Sequence, residues 1–491
     1  MQNIFSYKKS FYIVVTLFWL LTMGMLMQRH YGTFIFSGRF SGQDLQDSFI
    51  PAEISEEQWM GVYLNGEKIG YLSRKISPAT EGYTMDEAFR AKMIVMGKEK
   101  VLETLLNADL DKNLKLLSFT ARLKADLDIE LSGNVKGREL SLTINSSGVT
   151  TTKEIRLSKE PILNGPAVTR MLRGLKPGSR VSVPVFDPSL MGVEDLELIV
   201  SAKEKIMCLG KMREAYKVNG NMKGIEFTTW ITEMGEVLRE ESPAGFLLVK
   251  ETKEEAIKIA RPSLDLISQA AVPFKIKLPP DISYLKVRLT GISFKGLDLD
   301  GGRQKLIGDV LEINREVIDS RMKTRNTKIR GKTFDDYLNA TIFIQSKDPQ
   351  IKGLAREIIK DEKDPLVAAR LIYDWVYKNI KKVPTITIPM ATDVLKTKKG
   401  DCNEHTTLFT ALARASGIPA KIAVGLIYKD GFFYYHAWPE IYAGQWLAVD
   451  PTLGQFSADA SHIRLITGDI DRQTQVLPVI NRIRIEGLEY R

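Results

Sequence analysis

Hydrophobic positions along the chain fall into three textures. Residues 11–27, FYIVVTLFWLLTMGMLM, are apolar without a single charge. About 17–20 such residues just span a bilayer core at roughly 1.5 Å each. Lys8 and Lys9 precede the run, and positive flanks stay in the cytoplasm. Gln28, Arg29, His30 and Tyr31 follow it, none of them the small residue that a signal-cleavage site needs. The pattern predicts a cytoplasmic tail over residues 1–10, an uncleaved transmembrane signal anchor over 11–28 and a tether over 29–55, with a cleaved signal as the alternative.

The second texture alternates. Residues 61–72, GVYLNGEKIGYL, form a hairpin signal, because Asn65-Gly66 can supply the two positive φ angles of a type I′ turn. Strand-like runs follow at residues 116–123, 129–131, 140–144 and 198–201, separated by Gly, Asn, Asp and Pro. Residues 166–175 read as a helix with Pro166 at its first position. A mostly antiparallel β domain over 56–260 is expected, similar in pattern to the curved half-barrel sheets of periplasmic lipoprotein carriers. A smaller β segment is expected over 261–345. Within it, Asp298-Leu299-Asp300-Gly301-Gly302 opens like a calcium loop but lacks the downstream Glu at the required spacing, so a plain turn is expected.

From about residue 346 the period becomes helical. Asp364-Pro365 supplies an N-cap and a first-turn proline. Val367, Leu371 and Trp375 form one stripe, and Ala368, Ile372, Val376 and Ile380 another, together one buried helix face. A second helix begins near Cys402, continues its apolar face through Phe409, Leu412 and Ala413, and stops at Gly417 and Pro419. Strands are expected over 421–428, 432–438, 440–442 and 446–449, with turns at Lys429-Asp430-Gly431 and Ala443-Gly444-Gln445.

Composition adds limits. A chain of 491 residues is expected to hold two to four domains, and its 44% hydrophobic and 26% charged residues give no ground for global disorder. The net charge of +9 is dispersed and forms no nucleic-acid footprint, though it suits an anionic surface. Two cysteines, Cys208 and Cys402, exclude a disulfide framework.

Cys402 falls in a helix's first turn, where unpaired N–H groups and the positive dipole end are expected to favour a thiolate and receive an oxyanion. His436 falls within a strand and Asp450 ends the neighbouring one. Helix nucleophile, strand base and orienting carboxylate are the three parts of an activated thiol site. Glu404 reads as a dipole-complementing carboxylate, and His405, Trp438 and Trp446 as packing, with Trp438 able to shield the His–Asp bond. His462 has no assigned role, and Cys208 reads as inert. A metal set of Cys402, His405, His436 and Asp450 is a rival reading, but no metal or cofactor is expected.

The text KKGDCNEHTTLFTALARASGIPAKIAVGL, then HAWPEIYAGQWLAVDPT, resembles the transglutaminase-like superfamily. The blocks are Gly400, Cys402 and Glu404; Arg414, Ala415, Gly417, Ile418 and Pro419; His436, Ala437 and Trp438; and Trp446 with Asp450. Animal transglutaminases add an upstream oxyanion tryptophan, and residues 390–399 contain none. The resemblance implies an α+β class with a papain/transglutaminase-like domain over 346–491, the cysteine helix packed on an antiparallel sheet. It also implies a bacterial cysteine peptidase or amidase working through a thioester acyl-enzyme on a protein or peptide. A crosslinking acyltransferase and a non-catalytic binding or assembly module are the alternatives. With the anchor, the expected place is the inner membrane, single-pass, the bulk on the periplasmic side.

Overall fold

The structure, a computed structural model, describes residues 56–95, 98–146, 148–187, 192–222, 225–242, 245–260, 271–318, 334–468, 470–473 and 476–491. The expected tail, anchor and tether lie outside these residues. Among the described residues no helix is long and apolar enough to cross a membrane. Two compact units account for the fold, one from residues 56–94 and 98–260, the other from 271–491.

The first unit is one fifteen-stranded sheet. Strand β1 (Glu56–Leu64) turns into β2 (Glu67–Ala79) through Asn65 and Gly66, at φ 48° and 84°, as the Asn-Gly pair requires. From β1 the strands run outward as a meander to β8 (Val149–Arg156) at one edge. A second series runs back from β9 (Ile162–Leu163) at the other edge to β15 (Phe246–Glu251). The two series join where β15 pairs antiparallel with β1. Alternation decides the inner face: in the strand Glu139–Ser146, Leu140, Leu142 and Ile144 are buried while the residues between them are not. The sheet curls enough for Phe119 and Phe186, from its two wings, to meet at 5.2 Å between ring centroids. The expected helix over 166–175 is only α1 (Pro166–Arg170), since the chain turns soon after it and takes φ 74° at Gly174. Helix α2 (Lys253–Ala256) closes this unit. Cys208 is buried with Ala215, Trp230 and Leu238, as a small hydrophobe.

In the second unit β16 (Val272–Pro273) pairs with the later strand Phe432–Tyr442 of that unit's own sheet. Strands β17 (Tyr284–Thr290), β18 (Gln304–Ile307) and β19 (Val310–Asn314) form a small sheet. Its fourth member is the last strand of the chain, Arg484–Tyr490, which pairs with β17. The expected separate segment over 261–345 is therefore stitched into the C-terminal unit. The Asp298–Gly302 stretch is a loop braced against that unit: Asp298 Oδ2 accepts from Thr467 N at 2.7 Å, and the Gly301 carbonyl accepts from Arg464 at 2.8 Å.

Helix α3 (Asp335–Leu338) is followed by α4 (Pro349–Ile359), α5 (Pro365–Asn379), α6 (Ala391–Thr397) and α7 (Cys402–Ala415), with the short strands β20 (Lys381–Lys382) and β21 (Lys399–Gly400) among them. In α5 the Asp364 carboxylate accepts from Leu366 N and Val367 N. Only the stripe of Ala368, Ile372 and Val376 is fully buried, whereas Leu371 is 38% exposed and Trp375 lies under the Lys398 ammonium. The neighbouring helices α4 and α7 cover a narrower face than both stripes together.

Strands β22 (Ala420–Lys429), β23 (Phe432–Tyr442), β24 (Trp446–Asp450), β25 (Gln455–Phe456) and β26 (His462–Thr467) form the sheet against which α7 packs, with β27 (Arg484–Tyr490) in the small sheet. The expected short strands over 432–438 and 440–442 are one continuous strand, β23. Order across the sheet is β25-β24-β23-β22-β26, so β26 lies beside β22, across the sheet from β24.

Gly425, in β22, has no room for a side chain: a Cβ would stand 1.9 Å from the Ile463 carbonyl oxygen and 2.9 Å from Leu465 N. We expect Gly425→Ala to lower stability by about 1–3 kcal/mol. Gly353→Ala, in the open on α4, should raise it by up to about 1 kcal/mol. Thermal unfolding of both variants checks the pair, and equal effects would contradict the β22–β26 packing.

Candidate active site

Helix α7 begins with a reciprocal cap. The Asp401 carboxylate accepts from Asn403 N at 3.0 Å, while Glu404 Oε2 accepts from Asp401 N at 2.8 Å. Thr385 and Thr387 hydroxyls also donate to Glu404, at 3.0 and 2.5 Å. Gly400 leaves space for that carboxylate, since a Cβ there would stand 2.2 Å from Glu404 Cβ. These bonds fix Cys402 as the first helical residue and make Glu404 a cap as well as a dipole partner.

Cys402 is fully buried, and its sulfur accepts from the Ala437 backbone N–H, next in sequence to His436. Thr406 Oγ1 donates to the Ala437 carbonyl at 3.1 Å, so α7 grips β23 at this point. Burial, and after it the neighbouring Asp401, pushes the thiol well above its ordinary value, against the pull of the Ala437 N–H. Desolvation and an adjacent carboxyl thus oppose the thiolate stabilisation that the helix start was expected to give. Asp401 is itself pushed up, by burial and by Glu404.

His436 and Asp450 are also fully buried, and His436 Nε2 lies 2.7 Å from Asp450 Oδ2. Burial holds the His436 imidazole below its ordinary value despite the carboxylate beside it. Asp450 Oδ1 accepts from Thr452 N at 2.8 Å and Leu453 N at 2.9 Å. Burial works to raise the Asp450 carboxyl, but its interactions with His436, and after them those with His462, leave it below the usual carboxylate range. Nε2 is thus the ring nitrogen of His436 committed to Asp450.

Sequence reasoning missed two neighbours. His462 Nε2 lies 3.1 Å from the same Asp450 Oδ2. Tyr435, one residue from His436, is buried with its hydroxyl 3.5 Å from Asn403 Oδ1, and its phenol is raised by burial and then by the nearby Cys402. Trp438 is fully buried, stacks on His436 at 6.0 Å and stands edge-on to His462 at 5.1 Å, so it walls both rings from water. Trp446 packs on Tyr337 and Tyr442 and lies under Lys421.

His405 turns away from this cluster. Its Nδ1 lies 2.6 Å from the Asp401 carbonyl and its Nε2 3.3 Å from the Ile380 carbonyl, so it does not join the metal set considered from sequence. His436, Asp450 and His462 bring one nitrogen or oxygen each to within 4.8 Å of one another. The N···O separations of 2.7 and 3.1 Å are those of direct hydrogen bonds onto one oxygen.

Residues 352–451 match the sequence model of the family described as Transglutaminase-like superfamily. The C-terminal domain is transglutaminase-like. A stretch of 96 residues is 35% identical to an uncharacterized protein of Haemophilus influenzae, covering 18% of this chain and 26% of that protein. The chain thus spans about a quarter of that curated relative. Among solved structures, a candidate cysteine protease from Cytophaga hutchinsonii aligns at TM-score 0.30 and 17% identity, over 43% of this chain and 86% of that one. A β-barrel-like protein of unknown function from Brucella abortus aligns at 0.31 and 10%, over 40% and 95%. A candidate protease from Parabacteroides distasonis aligns at 0.19 and 11%, over 66% and 63%. At these scores the structural likenesses are partial, and the site of the transglutaminase-like domain stands on its own geometry.

Burial pushes His405 down to about 4. A histidine depressed in the fold gives full stability above its unfolded value, near 6.5, and loses it as pH falls toward 4. The loss from this ring is about 3 kcal/mol. His405→Asn, which keeps a donor to the Asp401 carbonyl, should flatten the stability profile between those pH values. Urea unfolding at several pH values tests this, and an unchanged slope would contradict it.

Proposed function

We propose that the transglutaminase-like domain is a cysteine hydrolase, a peptidase or amidase, that acts through a thioester acyl-enzyme outside the cytoplasm. The observation that carries the reading is the fully buried His436–Asp450 pair, 2.7 Å apart, with His436 on the strand whose Ala437 N–H meets the Cys402 sulfur. Cys402 sits at a capped helix start, bonded to the Ala437 N–H, and the adjacent His436 is held by Asp450 at 2.7 Å. His436 Nδ1 takes the thiol proton as the sulfur attacks a carboxamide or peptide carbonyl. The imidazolium formed is stabilised by the Asp450 carboxylate. It returns its proton to the departing amine or ammonia, leaving the acyl group on sulfur. Water, deprotonated by the same imidazole, then cleaves the thioester and restores the thiol. The Tyr435 hydroxyl, close to Cys402, is a donor within the site for the oxyanion. Neutral thiol and neutral imidazole in the resting site make His436 a general base, in place of one half of a standing ion pair.

Iodoacetamide at pH 7, with mapping of the modified residue, tests the nucleophile. Cys402 should be alkylated in preference to Cys208. His436→Ala should slow that alkylation about 10²-fold, and Asp450→Asn less, on the order of tenfold, because the base remains. Alkylation of the Cys402→Ala protein at the wild-type rate would defeat the reading. Release of acyl product to an added amine in preference to water would replace hydrolysis by transfer.

The extracytoplasmic placement rests on the uncharged run over residues 11–27 after Lys8 and Lys9. A periplasm-dependent phosphatase fused after Arg491 should be active. Activity of a cytoplasm-dependent reporter at the same position would overturn the placement.

A further inference from the structure

His462 is bound up with the site in a way that no motif around it announces. It enters through β26, which pairs with β22 so that Ile427 faces His462, and it is fully buried. Its Nε2 meets Asp450 Oδ2 at 3.1 Å, the oxygen that His436 Nε2 meets at 2.7 Å. Its Nδ1 lies 3.2 Å from both Asp459 Oδ1 and the Asp459 carbonyl. Asp459 is anchored in turn: Ser461 donates to Oδ1 from its backbone at 2.9 Å and its hydroxyl at 2.6 Å, and Gln455 Nε2 donates to Oδ2 at 2.8 Å. Gln455 pairs through its backbone with Asp450. The hydrogen bonds close a circuit that leaves Asp450, passes Gln455, Asp459 and His462, and returns to Asp450.

We propose that His462 is a positioning residue of the thiol site, a charged second imidazole that holds the Asp450 carboxylate in place and, by sharing it, limits the basicity of His436. The inference rests on the thiol-site reading above. Both ring nitrogens of His462 face acidic oxygens, and only the imidazolium can donate to both. Burial works to lower this ring, yet the hydrogen bonds to Asp450 and Asp459 raise it above its ordinary value. Asp459, like Asp450, is held below the usual carboxylate range, chiefly by His462 acting against burial. The circuit then carries two carboxylates and one imidazolium, with His436 neutral. Its net single negative charge is balanced when His436 accepts the thiol proton. The charged and titratable groups facing the two rings are Asp450 on β24, Asp459 in the loop before β26, Cys402 on α7 with Asp401 and Glu404 behind it, and Tyr373 on α5 beside Asp450.

Nitrogen-15 labelling of the imidazole rings of the full-length protein tests the inference, because the chain has only four histidines to assign. At pH 7 both His462 nitrogens should show imidazolium shifts, and His436 should be neutral with its proton on Nε2. His462→Gln, which keeps a donor toward Asp450 and removes the charge, should move the His436 titration upward by roughly one to two pH units. That size follows from a unit charge lost at the 5.7 Å ring separation, at an effective dielectric of about 20–40. His462→Asn, which likewise removes the charge, should move it in the same direction, and serves if the glutamine variant does not fold. A neutral His462 at pH 7, or a His436 titration unmoved in the folded variant, would overturn the proposal. A side chain that only fills space would leave that titration where it is. Ring titration is independent of iodoacetamide reactivity, so a coupled pair of rings beside an inert Cys402 would fail the thiol reading alone.

Discussion

The Asp450 carboxylate is the constraint around which the C-terminal unit is arranged. A buried carboxylate without partners would cost many kilocalories per mole, so the fold must bring donors to it. Two come from the turn that follows β24, at Thr452 and Leu453, and two from imidazoles on β23 and β26. Supplying them sets the strand order, because β23 and β26 flank β22 and each must present a histidine toward the end of β24. Trp438 then seals the rings in an apolar wall with Ala423, Ala448 and Ala458. Low polarity there strengthens each hydrogen bond and makes the loss of any one expensive.

What the sequence revealed of this site was what local rules govern. Asp401, Glu404 and Gly400 announce a helix start, and the cap they form is there. Asp430-Gly431 announces the β22–β23 turn, and both residues take positive φ, at 48° and 91°. His436 and Asp450 sat in recognisable text. His462 did not, because its role comes from a pairing between β22 and β26 that no spacing encodes. One signal was available: HIRLIT is a buried-strand run, and a histidine opening such a run needs a partner. The thiol's resting state was also hidden, since it depends on how completely α7 and β23 exclude water. In α5 both apolar stripes looked alike, and only packing decided that Ala368, Ile372 and Val376 are the covered ones.

The first unit was legible at the level of strands and turns. Its Asn65-Gly66 hairpin and its alternating runs follow from residue-level preferences. Its joining rule was not, because pairing of the first strand with the fifteenth depends on the whole sheet. The same sheet buries an Arg74–Glu87 pair at 2.5 Å, with the nearby Glu240 carboxyl raised by burial. Arg74, Asn164, Thr169 and Glu240 line a small hollow between the sheet and α1.

Both units are closed by partners from opposite ends of their own sequence. Trp59 faces Glu251 across β1 and β15, and Leu285 faces Tyr490 across β17 and β27. Each closure spans about two hundred residues, so it imposes an order in time as a chain emerges from the ribosome. Strand β1 stands unpaired on one edge until β15 has been made, and β17 waits likewise for β27. Long-range strand pairing of this kind folds slowly and leaves edges open while it waits. The first unit can close while the second is still being synthesised, whereas the small sheet of the second waits for β27.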